Sequence, residues 1–214
     1  MSEILIVGTG DHARVVADLA VAAGHTIAGH VDPSGSSTAS GVAAIGRLDG
    51  DLEWLDERRD APFTVAIGSN DVRRRAYERC LELGLEPISL VHPSAVVLGG
   101  ARIRHGAQVC ALALVGVDAL IEEDAIVNSA ATVDHDVVIG PHAFVAPGAH
   151  LAGRVRVGTG AHVGIGVAVR EGTIIGDGAL VAAGAAVVAD VPAHARVAGV
   201  PARPMDEPSS EREA

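Results

Sequence analysis

Aliphatic residues recur at every sixth position along the second half of the chain, from Val91 to Val187, without a slip in register. Most of them are β-branched, and the fifth position of each hexad holds a small or β-branched residue, as at Ala107 and Ala113. A period of six fits no α-helix, but it fits a short strand followed by a bend, repeated many times. The pattern therefore predicts a parallel β-helix, in which each coil buries its inner face by stacking on the next.

In such a solenoid, three hexads close one triangular coil, so the repeats predict roughly five to six coils. We expect the aliphatic first position to line the inner wall and the small fifth position to fill the corners. Val191 closes the repeats, which span residues 91–192. Residues 193–205 are expected to cap the last coil, and residues 206–214 to form a disordered acidic tail.

The first ninety residues instead alternate between apolar runs and helical patterns. The pattern predicts strands over 3–7, 26–31 and 63–67, and helices over 15–24, 49–59 and 72–83, with a mobile Ser/Gly loop over 34–41. The first strand ends at a Gly-rich turn, and the second ends at Asp32. This order predicts a small parallel α/β domain over residues 1–90, Rossmann-like in its opening, that packs on the β-helix without a flexible linker.

Composition narrows the classes of function. The chain is 49% hydrophobic but only 2% aromatic, which suits a narrow prism filled by Ala, Val, Leu and Ile. A net charge of −11 argues against nucleic acid as a partner. Cys80 and Cys110 show neither the spacing of metal ligands nor that of a disulfide framework. Two free cysteines are typical of a reducing compartment, so a cytoplasmic location is expected. The N-terminal residues predict no signal peptide, and no segment predicts a membrane span.

Histidines are the candidate chemical groups of the repeats. A β-helix has no use for them in its core, so we expect most to be solvated on outer faces or corners; they are His92, His105, His135, His142, His150 and His162. Only His135 lies between two carboxylates, Asp134 and Asp136. A histidine in this setting can be oriented and supported as a general base. On chemistry alone, a solvated acidic corner explains the triplet equally well.

Motifs along the whole chain resemble those of one enzyme family, the hexapeptide-repeat sugar O/N-acetyltransferases of the sialic-acid O-acetyltransferase and PglD type. The matching segments are Gly8-Thr-Gly-Asp-His12, Val31-Asp32, Ala66-Ile-Gly-Ser-Asn70 with Arg73, Asn128 through His135-Asp136, and the terminal Val197-Ala-Gly-Val-Pro-Ala-Arg-Pro204. The resemblance implies a left-handed β-helix, acetyl-CoA as co-substrate, a nucleotide-linked sugar as acceptor, no metal, and a homotrimer.

The resemblance also implies roles for individual residues. His135 becomes the general base, with Asp136 supporting it and Asn128 near the acceptor. Coenzyme A is expected in a groove between two β-helices, at Gly153, Ile165, Ala183 and Phe144, with the Gly153 N–H holding the oxyanion. The acceptor is expected in the N-terminal domain, at Gly8, Gly10, His12, Asp32, Gly68, Asn70 and Arg73.

Two departures from the family pattern affect these expectations. Asp11 stands where the family usually has the second glycine of its loop, and Gly10 replaces a small polar residue. Phe144 stands where many members carry a histidine that faces the cofactor. The first departure concerns the nucleotide contacts, and the second concerns one coenzyme A contact.

Several alternatives stay open at this point. Within the acetyltransferase interpretation, the first choice of acceptor is a UDP-, dTDP- or GDP-linked 4-amino-6-deoxy sugar, sialic acid O-acetylation is the second, and another cell-envelope sugar is the third. A γ-type carbonic anhydrase would need three zinc-binding histidines, for which His135, His142 and His150 are candidates with the wrong spacing. The Gly-rich start is also compatible with a non-catalytic nucleotide-sugar or dinucleotide-binding protein.

Overall fold

The computed structural model describes residues 2–33, 42–50 and 52–205. The predicted loop over 34–41 and the acidic tail over 206–214 lie outside these residues. Described strands and helices follow the order that the sequence predicts, a small α/β unit and then a long series of two-residue strands. None of the helices in the described part of the chain is long and apolar enough to cross a membrane.

The N-terminal unit is built on a four-stranded parallel sheet in the order β3-β2-β1-β4. Its elements are β1 (Glu3–Val7), α1 (Asp11–Ala22), β2 (Thr26–Asp32), β3 (Ala44–Arg47), α2 (Glu53–Asp56), β4 (Phe63–Val65) and α3 (Asn70–Glu82). Strand β1 is buried almost throughout because it lies between two neighbours and under helices. The edge strand β3 was not predicted, and α2 is a single turn where a longer helix was expected.

The second part of the chain is a parallel β-helix, as the hexad pattern predicts. Each strand pairs with the strand one coil further on, as Leu120 pairs with Val138 and Val138 with Arg156. Three parallel sheets form its sides. The five-stranded sheet contains β7 (Arg102–Ile103), β10 (Leu120–Ile121), β13 (Val138–Ile139), β16 (Arg156–Val157) and β19 (Ile174–Ile175). The six-stranded sheet contains β6 (Val96–Val97), β9 (Leu114–Val115), β12 (Thr132–Val133), β15 (His150–Leu151), β18 (Ala168–Val169) and β21 (Ala186–Val187).

The eight-stranded sheet carries the N-terminal unit and the cap. It contains β5 (Leu90–Val91), β8 (Gln108–Val109), β11 (Ile126–Val127), β14 (Phe144–Val145), β17 (His162–Val163), β20 (Leu180–Val181), β22 (Arg196–Ala198) and β23 (Arg203–Pro204). The last two strands run antiparallel, so the cap is more regular than expected. From Val109 onward, first-position aliphatics and fifth-position alanines form one continuous core, which confirms the predicted inward positions there, whereas Val97 in the first coil is 40% exposed.

The three corners between these sheets carry the candidate chemistry. The α3 corner, between the five- and eight-stranded sheets, includes residues 105–106, 123–124, 141–142 and 159–160. The His135 corner, between the six- and five-stranded sheets, includes residues 135–136 and 153–154. The third corner includes residues 129–130, 165–166 and 183–184. Many corner residues have left-handed backbone, among them Asp124 (φ 52°) and His142 (φ 57°), which is why glycine and small polar residues are frequent there.

Candidate active site

The carboxyl edge of the N-terminal sheet collects the Gly-rich loop, Asp32 and the turn before α3. Strands β1, β2 and β4 are parallel and end together there. Gly8 has a φ of 141°, and a Cβ at this position would lie 2.5 Å from the Ala66 carbonyl oxygen, so the loop requires glycine. Asp32 is buried at the end of β2. These segments therefore share the edge where parallel α/β sheets bind ligands.

His12 follows this loop and points toward the β-helix. Its ring centroid lies 6.4 Å from that of Phe144. Burial, and then the nearby Arg73 guanidinium, lowers the pKa of His12, so its ring is neutral at pH 7. Its Nε2 atom is buried and has no hydrogen-bond partner within the described residues. His12 thus belongs to the junction between the two parts of the chain.

Helix α3 lies along the α3 corner and contacts a new coil at each of its turns. The Asn70 amide nitrogen donates to the carbonyl oxygens of Gly160 and Ala161, at 2.9 and 3.1 Å. One turn later, Arg73 reaches the next coils, and a further turn on, the Tyr77 hydroxyl donates to the His105 carbonyl at 3.4 Å. The successive contacts join the N-terminal unit to the β-helix over several coils.

Arg73, which the resemblance places among the substrate-binding residues, is fully buried in this chain. Its Nε donates to Asp124 Oδ2 at 3.1 Å, and its Nη1 donates to Asn70 Oδ1 at 3.0 Å. Its Nη2 donates to the carbonyl oxygen of His142. The guanidinium is therefore enclosed between α3 and the corner, and these partners compensate the cost of burying its charge.

Asp124 links Arg73 to a histidine. The same Oδ2 atom lies 2.9 Å from His142 Nδ1, and the Asp124 side chain is only 1% exposed. Burial raises the pKa of the Asp124 carboxyl, while His142 and Arg73 oppose this effect. The His142 ring packs edge-on against Tyr77, with centroids 5.6 Å apart. His142 is therefore not the solvated surface residue that the sequence suggested.

A cleft of about 860 Å³ opens beside this network, at the N-terminal end of α3. Gly68 and Asn70 line it from the N-terminal unit, and His142, Gly160 and His162 line it from the β-helix. His162 stacks flat on Phe144, with ring centroids 5.0 Å apart and an interplanar angle of 3°. Burial and Arg73 lower the pKa of His162, so this ring is also neutral at pH 7. The cleft is large enough for a substantial part of a small-molecule ligand.

The second candidate centre lies at the His135 corner. His135 Nδ1 is 2.8 Å from Asp136 Oδ2, and the His135 side chain is 44% exposed. Asp134 instead accepts a hydrogen bond from the His135 backbone N–H at 2.7 Å. Gly153 lies one coil further on, and a Cβ there would come within 2.4 Å of His135 Nε2. The imidazole therefore has one nitrogen on a carboxylate and the other beside a glycine backbone.

The other coenzyme A candidates lie on different parts of the β-helix. Ile165 and Ala183 are exposed and stack one coil apart on the third corner, where the Gly184 N–H donates to the Ile165 carbonyl at 2.8 Å. Asn128 is buried beside that corner, and its side-chain oxygen accepts from the Ser129 N–H at 2.7 Å. The Asn128 side chain therefore stabilises its own turn, and among the described residues it makes no hydrogen bond to His135.

Within one chain, the predicted site residues thus lie on separate faces, with Ile165 and Ala183 on the third corner. His12, Asn70, Arg73 and Phe144 lie with the cleft, whereas His135, Asp136 and Gly153 lie on another corner. Phe144 therefore does not share a site with His135 of its own chain. Sequence reasoning missed Asp124, although Asp124 and His142 are eighteen residues apart at the same hexad position, a spacing that places them on adjacent coils.

A parallel β-helix with a carboxylate-supported histidine on a corner is the arrangement of the hexapeptide-repeat acyltransferases. Comparison with known proteins narrows this class. Residues 3–80 match the family model of the PglD N-terminal domain. The acetyltransferase domain of PglB from Neisseria gonorrhoeae is 35% identical, with a TM-score of 0.85, covering 96% of this chain and 100% of that one.

A second similar structure is PerB from Caulobacter crescentus in complex with CoA and GDP-perosamine. It is 35% identical, with a TM-score of 0.89, covering 96% of this chain and 98% of that one. WeeI from Acinetobacter baumannii, at 23% identity and a TM-score of 0.72, shares the fold. No curated protein sequence matches the chain. The chain belongs to the PglD-type sugar acetyltransferases, which confirms the predicted family and fold class.

Proposed function

We propose that the protein transfers an acetyl group from acetyl-CoA to the amine of a nucleotide-linked 4-amino-6-deoxy sugar. The observation that carries this proposal is the His135 pair, with Nδ1 on Asp136 at 2.8 Å and Nε2 beside Gly153. End-to-end similarity to PerB, which is described with CoA and GDP-perosamine, supports the choice of an amino-sugar nucleotide. A cytoplasmic location, where acetyl-CoA is made and used, is part of the proposal.

The geometry supports His135 as the general base. Because His135 Nδ1–H donates a hydrogen bond to Asp136, Nε2 carries the lone pair and can take a proton from the attacking amine. The amine nitrogen forms a bond to the thioester carbonyl carbon, and the electron pair of the C=O bond moves to oxygen. Collapse of this intermediate breaks the C–S bond, and the thiolate of coenzyme A receives the proton held by His135. Asp136 stabilises the imidazolium formed in between.

Gly153 suits the role of oxyanion donor. Its N–H makes no hydrogen bond within the described residues, so it is available to a ligand. Any larger residue would place a Cβ against the His135 ring, which explains the need for glycine. A backbone N–H aimed at the developing negative charge is a common and effective source of transition-state stabilisation.

A homotrimer is part of the same proposal. Leu98 and Leu112 are 40% and 69% exposed, and Val96 is exposed beside them, which leaves an apolar strip along the six-stranded sheet. Such strips usually mark interfaces. Leu114 and Leu120, on consecutive strands, are half-buried and contribute less. Because the cleft and His135 lie on different faces, a neighbouring chain would have to bring its His135 to the acceptor, with coenzyme A between the two β-helices.

The test is an acceptor panel followed by a base variant. UDP-, dTDP- and GDP-linked 4-amino-6-deoxy sugars, and sialic acid, are incubated with acetyl-CoA while release of free thiol is measured. We expect an amino-sugar nucleotide to be turned over, and His135→Ala to reduce kcat by roughly 10²- to 10⁴-fold. His105→Ala is the matched control, because His105 is exposed and its hydrogen bonds to other described residues are made by its backbone carbonyl. Turnover of sialic acid alone, or full activity in His135→Ala, would overturn the proposal.

A further inference from the structure

The α3 corner contains a second Asp–His pair that the proposed proton transfer does not use. Asp124 and His142 are 2.9 Å apart, and their side chains are 1% and 12% exposed. The first pair, His135 and Asp136, is by contrast 44% and 56% exposed. A buried carboxylate with two partners is costly to assemble, so its position beside the cleft calls for a physical explanation.

The hydrogen bonds around Asp124 determine which nitrogen of His142 carries its proton. Asp124 Oδ2 accepts the Arg73 Nε–H at 3.1 Å, and this cation favours the ionised carboxylate. The same oxygen therefore acts as an acceptor toward His142, whose Nδ1–H donates to it. In the neutral imidazole, Nε2 then holds a lone pair. That atom makes no hydrogen bond within residues 2–33, 42–50 and 52–205, and the residue lines the cleft.

We infer that His142 is an acceptor-binding residue of the cleft, and that Asp124 and Arg73 are positioning residues that hold its imidazole there. Nε2 accepts a hydrogen bond from a hydroxyl or N–H group of the nucleotide-linked sugar. The inference rests on the proposed function, because it takes the acceptor to be the ligand of this cleft. It gives the buried network a role in acceptor recognition in addition to its role in joining α3 to the β-helix.

One substitution separates binding from simple structural support. In His142→Asn, the side-chain amide can still donate to Asp124 from about the place of Nδ1, while the group at the place of Nε2 is lost. Asparagine also tolerates the left-handed backbone at this position, where φ is 57°. In His142→Ala, both the bond to Asp124 and the cleft group are lost. His105→Asn, at an exposed histidine of the same corner, is the matched control.

The measurements are the KM of the acceptor, the KM of acetyl-CoA, kcat and the thermal midpoint, with the panel member that wild type acetylates most efficiently. We expect His142→Asn to raise the acceptor KM by roughly 3- to 10-fold, the value of one neutral hydrogen bond. The KM of acetyl-CoA and the thermal midpoint should stay near wild type. His142→Ala should raise the acceptor KM as much and also lower the midpoint.

An unchanged acceptor KM in His142→Asn would overturn the inference and leave His142 with a structural role only. If that variant fails to fold, Asp124→Asn replaces it, because the amide removes the charge that holds the ring. Its acceptor KM should rise while the KM of acetyl-CoA stays constant, and an equal rise of both would also overturn the inference. Failure of wild type to acetylate any panel member would instead refute the proposed function, so the two failures are distinguishable.

Discussion

Removal of the Arg73 guanidinium is the most direct test of how the two parts of the chain are joined. Arg73→Met keeps most of the aliphatic volume but removes a cation that is fully buried against an Asp124 side chain that is 1% exposed. Breaking a buried ion pair from one side costs about 3–5 kcal/mol, because the remaining charge is left without compensation. In a chain of this size, that loss corresponds to a fall of roughly 6–20 °C in the thermal midpoint.

Thermal unfolding followed by circular dichroism measures this effect, with a neighbouring arginine as control. Arg74 is on the same helix, but its side chain is 46% exposed and its ion pair with Glu78 is 3.5 Å long. Exposed pairs of this kind contribute little, so Arg74→Met should shift the midpoint only slightly. Equal midpoints for Arg73→Met and Arg74→Met would refute the reasoning that the buried network stabilises the junction.

The stability lost in Arg73→Met should depend on pH in a definite direction. Burial already raises the pKa of Asp124 in the native protein, and loss of the nearby cation raises it further. A carboxyl whose pKa is higher in the folded than in the unfolded state stabilises the folded state when it takes up a proton. The loss of stability in Arg73→Met should therefore become smaller as the pH falls toward the pKa of Asp124. For the same reason, adding Asp124→Asn to Arg73→Met should cost less than the sum of the two single losses.

The remaining predictions concern the His135 corner, the sheet edge and assembly. Asp136→Asn should lower kcat less than His135→Ala, and the two losses should be non-additive, because a carboxylate has nothing to orient without the imidazole. Gly153→Ala should displace the His135 ring and lower kcat by about 10²-fold at an unchanged thermal midpoint. Asp32→Ala should raise the acceptor KM and leave the KM of acetyl-CoA constant. Light scattering should show three chains per particle, and a monomer would contradict the proposed interface.

Sequence alone predicted the β-helix because its inner positions are set by local rules. Val109 and Val115 occupy first positions and Ala113 a fifth position, and side chains at both positions point into the core along the β-helix. Strand β1 and the glycine turn after it were predicted by a short apolar run. Helix α3 begins at Asn70, two residues before the expected start, because the Ser69–Asn70 turn already has the backbone of a helix N-terminus.

Outward-facing residues could not be assigned in the same way, because a repeat shows that a side chain leaves the core but not what covers it. Phe144 and His162 are equivalent by register, yet the N-terminal unit covers the first and leaves the second at the cleft. Arg73 resembled a substrate ligand in sequence, since motif arginines often bind phosphates, but within this chain its partners are a carboxylate, the Asn70 amide oxygen and backbone carbonyls. Such partners depend on how two units dock.

The docking of those units follows from a match between two periodicities. An α-helix advances about 5.4 Å per turn, and strands stacked in a β-helix are about 4.7–4.9 Å apart. Residues one turn apart on α3 can therefore each meet a new coil, as Asn70 meets Gly160, Arg73 meets His142, and Tyr77 packs against Gly106. A Cβ on Gly106 would lie 2.6 Å from the Tyr77 ring, so the corner is shaped for this helix. The register of α3 against the coils thus fixes the cleft at its N-terminal end, where His142 and His162 stand.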